Sequence, residues 1–359
     1  MSTEIDRKVL LKKLNTVKPA VSAQSYIPVL KHFMFDGKTV TAYNDVSAIS
    51  VSLEAEFKGC VPADLLIKTL NSLSSDTVIF EIQNESLLVK SGRSKIKLPV
   101  LPAEDFPTVS VMQRTLVAIG GFSVSKDMLT GIKLCLLGVG NDTQHPAQMG
   151  VTLDPLFSLE QAALYSTDSA TLSRFTFNTD MDIPGDAPVI LPTFFCEQLL
   201  SMARVCEDMK IEIYNGALLA VFSDGSTLFT KTIIDLEPMA FAKRFSKYCD
   251  DGEAFKRLLE IPEKFEASFE RAVIIQSDEP QQSTSVTVAG NRLTLRSVSK
   301  AGEIEDVMTF SAVDSFCDIT PAYVKRMLPV TSKVALMPSV MVLTDDKQEF
   351  IHLIAHRST

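Results

Sequence analysis

The chain has 359 residues, more than one hydrophobic core usually serves, so two or three domains are expected. Its 46% apolar and 22% charged residues exclude a disordered chain. Lysines and arginines number 35 against 44 aspartates and glutamates, and the resulting net charge of -9 argues against a protein held on nucleic acid by its overall charge.

The N-terminal stretch MSTEIDRKVLLKKL interleaves charges with apolar residues, unlike a signal peptide, and no later run has the length of a membrane span. The expectation is a cytoplasmic protein with no membrane partner. Its first element is a helix over residues 6–17, with Leu10, Leu14 and Val17 on one stripe and Lys8, Lys12 and Asn15 almost opposite. One face would pack while the other shows positive charge to solvent.

KTVTAYN (38–44) and SAISVSLEAEF (47–57) alternate as strands do. Pro62 then opens a second helical pattern, VPADLLIKTL (61–70), which carries Lys68. A proline's missing N–H costs nothing at that position. TVIFEI, LLVKSG and SKIKLPVL follow as strands, with Asn84-Glu85 as a hairpin turn. In SGRSKIKLPVL, Arg93, Lys95 and Lys97 alternate with Ser94, Ile96 and Leu98, so an extended chain puts three cations on one face and an apolar pair on the other. An edge strand guarded by lysines reads the same way, and an acidic counterpart would make it a seam.

The pattern then recurs. Boundaries are expected near 108–120, ending at Gly120-Gly121, and near 236–250, which gives domains 1–115, 116–240 and 241–359. The second holds a helix over 124–138 bearing Lys126 and Lys133, then LPTFFCEQLL (191–200) behind Pro192, with Arg204 beside it. Its strands KIEIYN, ALLAVF and STLFTKTI turn at Asn215-Gly216. The third holds a helix over 262–275 on a stripe of Phe265, Phe269 and Ala272, then ITPAYVKRML (319–328) behind Pro321. KVALMP, VMVLTD and EFIHLIAH close it, turning at Asp345-Asp346. Here Glu263, Glu266 and Glu270 dilute Lys264 and Arg271. Helix, strands, helix, strands is too large a unit for a solenoid and about the size of a domain. The fold class is therefore α+β, with three similar domains in tandem.

Enzymatic signatures are weak. Gly138-Val139-Gly140 lacks the third glycine and the strand-to-helix junction of a dinucleotide loop. His352 and His356 have metal-like spacing only on a helix, whereas the alternation around them says strand. Cys60, Cys135, Cys196, Cys206, Cys249 and Cys317 are scattered without metal spacing and read as packed, reduced thiols. No nucleophile, general base, cofactor or metal is implied.

SGRSKIKLPVLPAEDFP (91–107), preceded by SYIPVLKH and VPADLLIKTLNSL, resembles the first domain of the bacterial sliding clamps, the beta subunits of DNA polymerase III. The threefold repeat extends the resemblance along the chain. It implies a non-catalytic, ring-shaped homodimer of six similar domains, with helices lining a central hole and sheets outside. Such a ring encircles duplex DNA and tethers polymerase and clamp loader, which insert short apolar peptides. The alternative is a non-encircling scaffold of the same domains that acts as a monomer.

Carried over by position, Arg93, Lys95, Ile96 and Leu98 meet Ile274, Ile275, Glu303 and Glu305 of a second copy, with Asp306 beside them. Lys8, Lys12, Lys68, Lys126, Lys133 and Arg204 face DNA. The peptide pocket comprises Thr167, Leu172, Pro238, Leu353, Ile354 and Ala355. Three features depart from the family pattern. Thr167-Asp168-Ser169-Ala170-Thr171-Leu172 stands where Thr-Asp-Gly-His-Arg-Leu is usual, the chain ends in AHRST, and the loop 141–149 lacks an aromatic pair. Such drift suits the clamp of a divergent replication system, viral or plasmid-borne.

Overall fold

The computed structural model describes residues 2–107, 117–155, 157–158, 160–178, 188–206, 208–232, 245 and 253–357. Helix α1 (Arg7–Val17) starts where the Asp6 carboxylate accepts from the Val9 N–H at 2.9 Å, and it buries Leu10, Leu14 and Val17. Helix α2 (Ala63–Ser72) follows Pro62 directly. Helix α3 (Lys126–Leu136) is capped by Ser125, whose hydroxyl accepts from the Met128 N–H at 3.0 Å. Helices α4 (Thr193–Ala203), α5 (Glu253–Lys256), α6 (Phe265–Ile275) and α7 (Pro321–Met327) complete the set among the described residues. Within α6, Phe265 and Phe269 stack edge to face at 4.8 Å, as the predicted stripe requires. Among the described residues no helix is long and apolar enough to cross a membrane.

The chain forms two compact units. Among the described residues, the first comprises 2–124 and 197–232, and the second 125–178, 188–196 and 245–357. The first unit holds a four-stranded sheet ordered β1 (Ser2–Asp6), β6 (Thr77–Ile82), β7 (Ser86–Ser91), β8 (Ser94–Pro99). Its eight-stranded sheet is ordered β5 (Lys58–Pro62), β2 (His32–Asp36), β3 (Thr39–Tyr43), β4 (Ser47–Ser52), β16 (Thr227–Lys231), β15 (Ala217–Phe222), β14 (Met209–Tyr214), β9 (Ala118–Ser123).

The second unit repeats the scheme. Its eight-stranded sheet runs β13 (Val189–Pro192), β10 (Gly150–Asp154), β11 (Gln161–Thr167), β12 (Thr171–Asn178), β24 (Phe350–Ala355), β23 (Val340–Thr344), β22 (Lys333–Leu336), β17 (Leu259–Glu260). Its four-stranded sheet runs β20 (Gly302–Thr309), β19 (Arg292–Ser299), β18 (Thr284–Ala289), β21 (Ser315–Ile319). All pairings are antiparallel, and the whole is α+β.

Each eight-stranded sheet joins two four-strand sets at a seam. At the first, Phe229 pairs with Ala48 and Thr230 with Ser47. At the second, Leu353 pairs with Leu172 and Ile354 with Thr171. Both seams are apolar on one side. Phe229 and Ala48 lie in a cluster with Tyr43, Leu219 and Phe106, and Leu353 and Leu172 in one with Tyr165, Val342 and Phe245. Burial of such side chains is worth on the order of 1.5–3 kcal/mol each, so each seam is a core in its own right.

The hairpin turns match expectation. Asn84 and Glu85 both adopt positive φ, 41° and 53°, and Gly216 sits at 83°, as tight hairpins demand. Gly120-Gly121 is not a boundary. The pair lies inside β9 opposite Ile213 and Glu212, and a Cβ on Gly121 would come within 2.8 Å of the Ile211 carbonyl oxygen. The expected boundary segments 108–116 and 236–244 lie outside the described residues, as do Pro238 and Cys249.

Candidate functional site

Strand β8 pairs with β7 on one side, and no strand among the described residues pairs with its other side. Lys95 and Lys97 are exposed and Ile96 between them is half-buried, as the alternation predicts. Two expectations need correction. Leu98 is already buried within its own unit, opposite Leu87, because the inward face of a strand that ends at Pro99 packs on its own sheet first. Arg93 is not on the lysine face: Gly92-Arg93 forms the two-residue turn between Ser91 and Ser94, with Gly92 at φ 56°. Lys95 faces Lys90 across the β7–β8 ladder, and Lys90 is bonded to Glu81, which relieves the like-charge pair. That ammonium holds the Glu81 carboxyl below its usual range.

Strand β20 likewise pairs only with β19 among the described residues. Glu303 and Glu305 are exposed on one face, while Ile304 and Asp306 are half-buried on the other. Glu303 accepts from Arg296 at 2.5 Å, which raises the guanidinium pKa further, and Asp306 accepts from Arg271 of α6 at 2.8 Å. Ile274 is 67% exposed at the end of α6 and Ile275 half-buried beside it. The Ile275 carbonyl accepts from Ser299 at 2.7 Å, which ties the helix end to the end of β19, just before β20. Acid and apolar surface thus share this edge. Ile304 was not among the predicted interface residues, yet Glu303-Ile304-Glu305 is the charge-reversed image of Lys95-Ile96-Lys97.

Five of the six cations proposed to face DNA are on helices. Lys8 and Lys12 project from the exposed side of α1, Lys68 from α2, and Lys126 and Lys133 from α3. Arg204 lies one residue past α4, exposed in a turn rather than on the helix. Lys8 is 3.6 Å from Asp76, and Lys13 donates to the Ser52 carbonyl at 2.6 Å. A cavity of about 420 Å³ opens beside Lys12, lined also by Val9, Met202, Val205 and Phe222.

The expected peptide-pocket residues meet at the β12–β24 seam. Thr167, Leu172, Leu353 and Ile354 are buried, with Thr167, Leu172 and Leu353 on one face of the sheet and Ile354 on the other, and Ala355 is exposed. The turn above them is tightly tied. Asp168 accepts from the Ala170 and Thr171 N–H groups at 3.2 and 2.7 Å and from the Thr171 hydroxyl at 2.7 Å. Its other oxygen accepts from Arg326 of α7 at 3.2 Å. Ser169, at φ 74°, donates to Gln148 at 2.9 Å. Arg326 therefore serves this turn, a role its place in the basic ITPAYVKRML helix did not suggest. Gly138 is a packing residue: a Cβ there would lie 2.4 Å from Ser173 Oγ. Among the described residues no three His, Cys, Asp or Glu side chains gather as a metal site would need.

Residues 1–110 match the model of the DNA polymerase III beta subunit N-terminal domain. The beta sliding clamp of Pseudomonas aeruginosa is 34% identical over 256 residues, covering 66% of this chain and 65% of that relative. That of Vibrio harveyi is 30% identical over 123 residues, 32% of this chain and 85% of the relative. The solved Pseudomonas aeruginosa sliding clamp bound to griselimycin superposes with a TM-score of 0.85 at 19% identity, over 100% of both chains. The Bartonella birtlesii sliding clamp gives 0.87 at 17%, again over 100% of both. Residues 1–110 therefore match the N-terminal domain of the DNA polymerase III beta subunits, and the whole chain has the fold of the bacterial sliding clamps.

The family model spans β1 to β8, and the fold match covers the whole chain. Ser169 takes the positive φ that a glycine would adopt without strain.

Proposed function

We propose that this clamp works as a ring of two copies that encircles duplex DNA and tethers replication proteins to it. The observation that carries the reading is the count of strand sets. In each repeat the set β1-β6-β7-β8, β9-β14-β15-β16 or β17-β22-β23-β24 ends in β8, β16 or β24, and the other set ends in β4, β12 or β20. Strand β4 meets β16 and β12 meets β24 within the chain, which leaves β20 and β8 as the corresponding pair. A second copy supplies the missing seam, head to tail, and rotation closes it after two. Lysines on β8 and glutamates on β20 support that pairing by steering and register, with Ile96, Ile274 and Ile275 supplying apolar contact.

In this reading the domains are 1–115, 116–240 and 241–359, and Lys8, Lys12, Lys68, Lys126, Lys133 and Arg204 line the hole. A topological hold needs only weak phosphate contacts, and these permit sliding and agree with a chain of net charge -9. Polymerase and loader would bring short apolar peptides to the pocket over Leu172 and Leu353, with Thr167, Ala355 and Pro238 at its borders. The ring needs no cofactor or metal and performs no reaction.

Sedimentation tests the ring directly. The chain at micromolar concentration is expected to run as a dimer and Ile274→Glu as a monomer with an unchanged melting curve. A monomeric unmodified chain, as expected of the non-encircling scaffold, would overturn the reading.

A further inference from the structure

The two seams made within the chain fix the register of the one made between chains. Three hairpins align one side: Gln83 faces Ser86, Tyr214 faces Ala217 and Met337 faces Val340 across two-residue turns. Their ladders end at Ser86 with Pro99, Ala217 with Lys231 and Val340 with Ala355. Pro99, Lys231 and Ala355 are therefore equivalent. Two residues back, so are Lys97, Phe229 and Leu353.

The other side aligns in the same way. Asn44 faces Ser47, Asp168 faces Thr171 and Ser299 faces Gly302 across two-residue turns. One step further come the pairs Tyr43 with Ala48, Thr167 with Leu172 and Val298 with Glu303. Ala48, Leu172 and Glu303 are equivalent. Since Phe229 pairs with Ala48 and Leu353 with Leu172, the position left for Lys97 is opposite Glu303.

Resting on the ring reading above, we infer that a second copy docks with Lys97 opposite Glu303, Ile96 opposite Ile304 and Lys95 opposite Glu305. Backbone pairing alone dictates this register, which also sets each lysine against a glutamate and the half-buried isoleucine against its counterpart. A slip of one residue would put both lysines on the wrong face, and a slip of two would leave one without its acid. Arg93, in the turn, falls beyond this ladder. At these positions the within-chain seams pack into apolar clusters that include Phe106 and Phe245, and here ion pairs take that place. The intermolecular seam is therefore the salt-sensitive one.

Paired cysteines read the register. Residues directly opposite in an antiparallel ladder bring their Cβ atoms within reach of a disulfide, whereas partners two residues off lie too far apart. The full chain carrying Lys97→Cys and Glu303→Cys, treated with diamide, is expected to give a covalent dimer on a non-reducing gel. Each single variant and the unmodified chain should not. Faster crosslinking of Lys97→Cys with Glu305→Cys, or no crosslinking in a chain that sediments as a dimer, would overturn the register while leaving the ring. A monomer by sedimentation would remove both. Charge exchange is the second arm. Lys97→Glu should weaken dimerisation at least tenfold at low salt, and adding Glu303→Lys should restore it better than adding Glu305→Lys.

Discussion

Ser173 Oγ lies 2.8 Å from Nδ1 of His352, the two residues pairing directly across the β12–β24 seam with neither exposed. Burial, with Arg326 nearby, pushes the His352 pKa down to about 3. The folded state therefore keeps this imidazole neutral while the unfolded chain takes up a proton below about 6.5. The unfolded state binds more protons in that window, so the contribution is complete above pH 6.5 and is lost as pH falls toward 3. Denaturant titrations from pH 7 to 4 should show stability falling by up to about 1.4 kcal/mol per pH unit from this group. His352→Gln should flatten that slope, and an equal slope in both proteins would contradict the assignment.

Gly131 sits inside α3, where glycine ordinarily costs about 1 kcal/mol relative to alanine. A Cβ there would lie 2.4 Å from a Phe175 ring carbon and 2.7 Å from Leu164 Cδ1. Close packing outweighs propensity. Gly131→Ala should destabilise the chain by roughly 1–3 kcal/mol by chemical denaturation, where propensity alone would give a gain.

Asp168 collects three hydrogen bonds within its turn and a fourth from Arg326. Asp168→Ala should cost about 1–3 kcal/mol and weaken binding of a short apolar clamp-binding peptide, measured by fluorescence anisotropy. Arg326→Ala should reproduce part of the affinity loss. Unchanged affinity in both would separate the turn from the pocket.

The α1 cations make a quantitative prediction about salt. Lys8→Ala with Lys12→Ala should lower the slope of log affinity against log salt for duplex DNA by about one per phosphate contact removed. Melting should barely change, because the exposed Lys8–Asp76 pair is worth about 1 kcal/mol or less. An unchanged slope would take these lysines off the DNA.

Much of the fold is legible in the sequence because its signals are local. The Leu10, Leu14, Val17 stripe, the prolines ahead of each second helix and the Asn84-Glu85 turn each act within a few residues. The seams are not local. Ser47 and Thr230 hydrogen-bond across 183 residues of chain, and Ser173 and His352 across 179. Alternation shows which residues share a face but not which strand lies alongside. Gly120-Gly121 misleads for a related reason: glycine marks close backbone approach as well as chain reversal. Leu98 and Arg93 show the limit at the interface itself. Periodicity placed both on an extended strand, whereas the sheet buries one and the turn removes the other.

Retention on DNA decides whether two copies close around the duplex. The clamp would be loaded by a bacterial clamp loader onto a nicked circular plasmid, separated from free protein by gel filtration in high salt, and counted before and after a single restriction cut. The predicted result is stable retention on the circle and loss once the ends are free, with crosslinked Lys97→Cys, Glu303→Cys rings retained longest on the circle. Equal retention on circular and linear DNA would mean that contact, not enclosure, holds the protein.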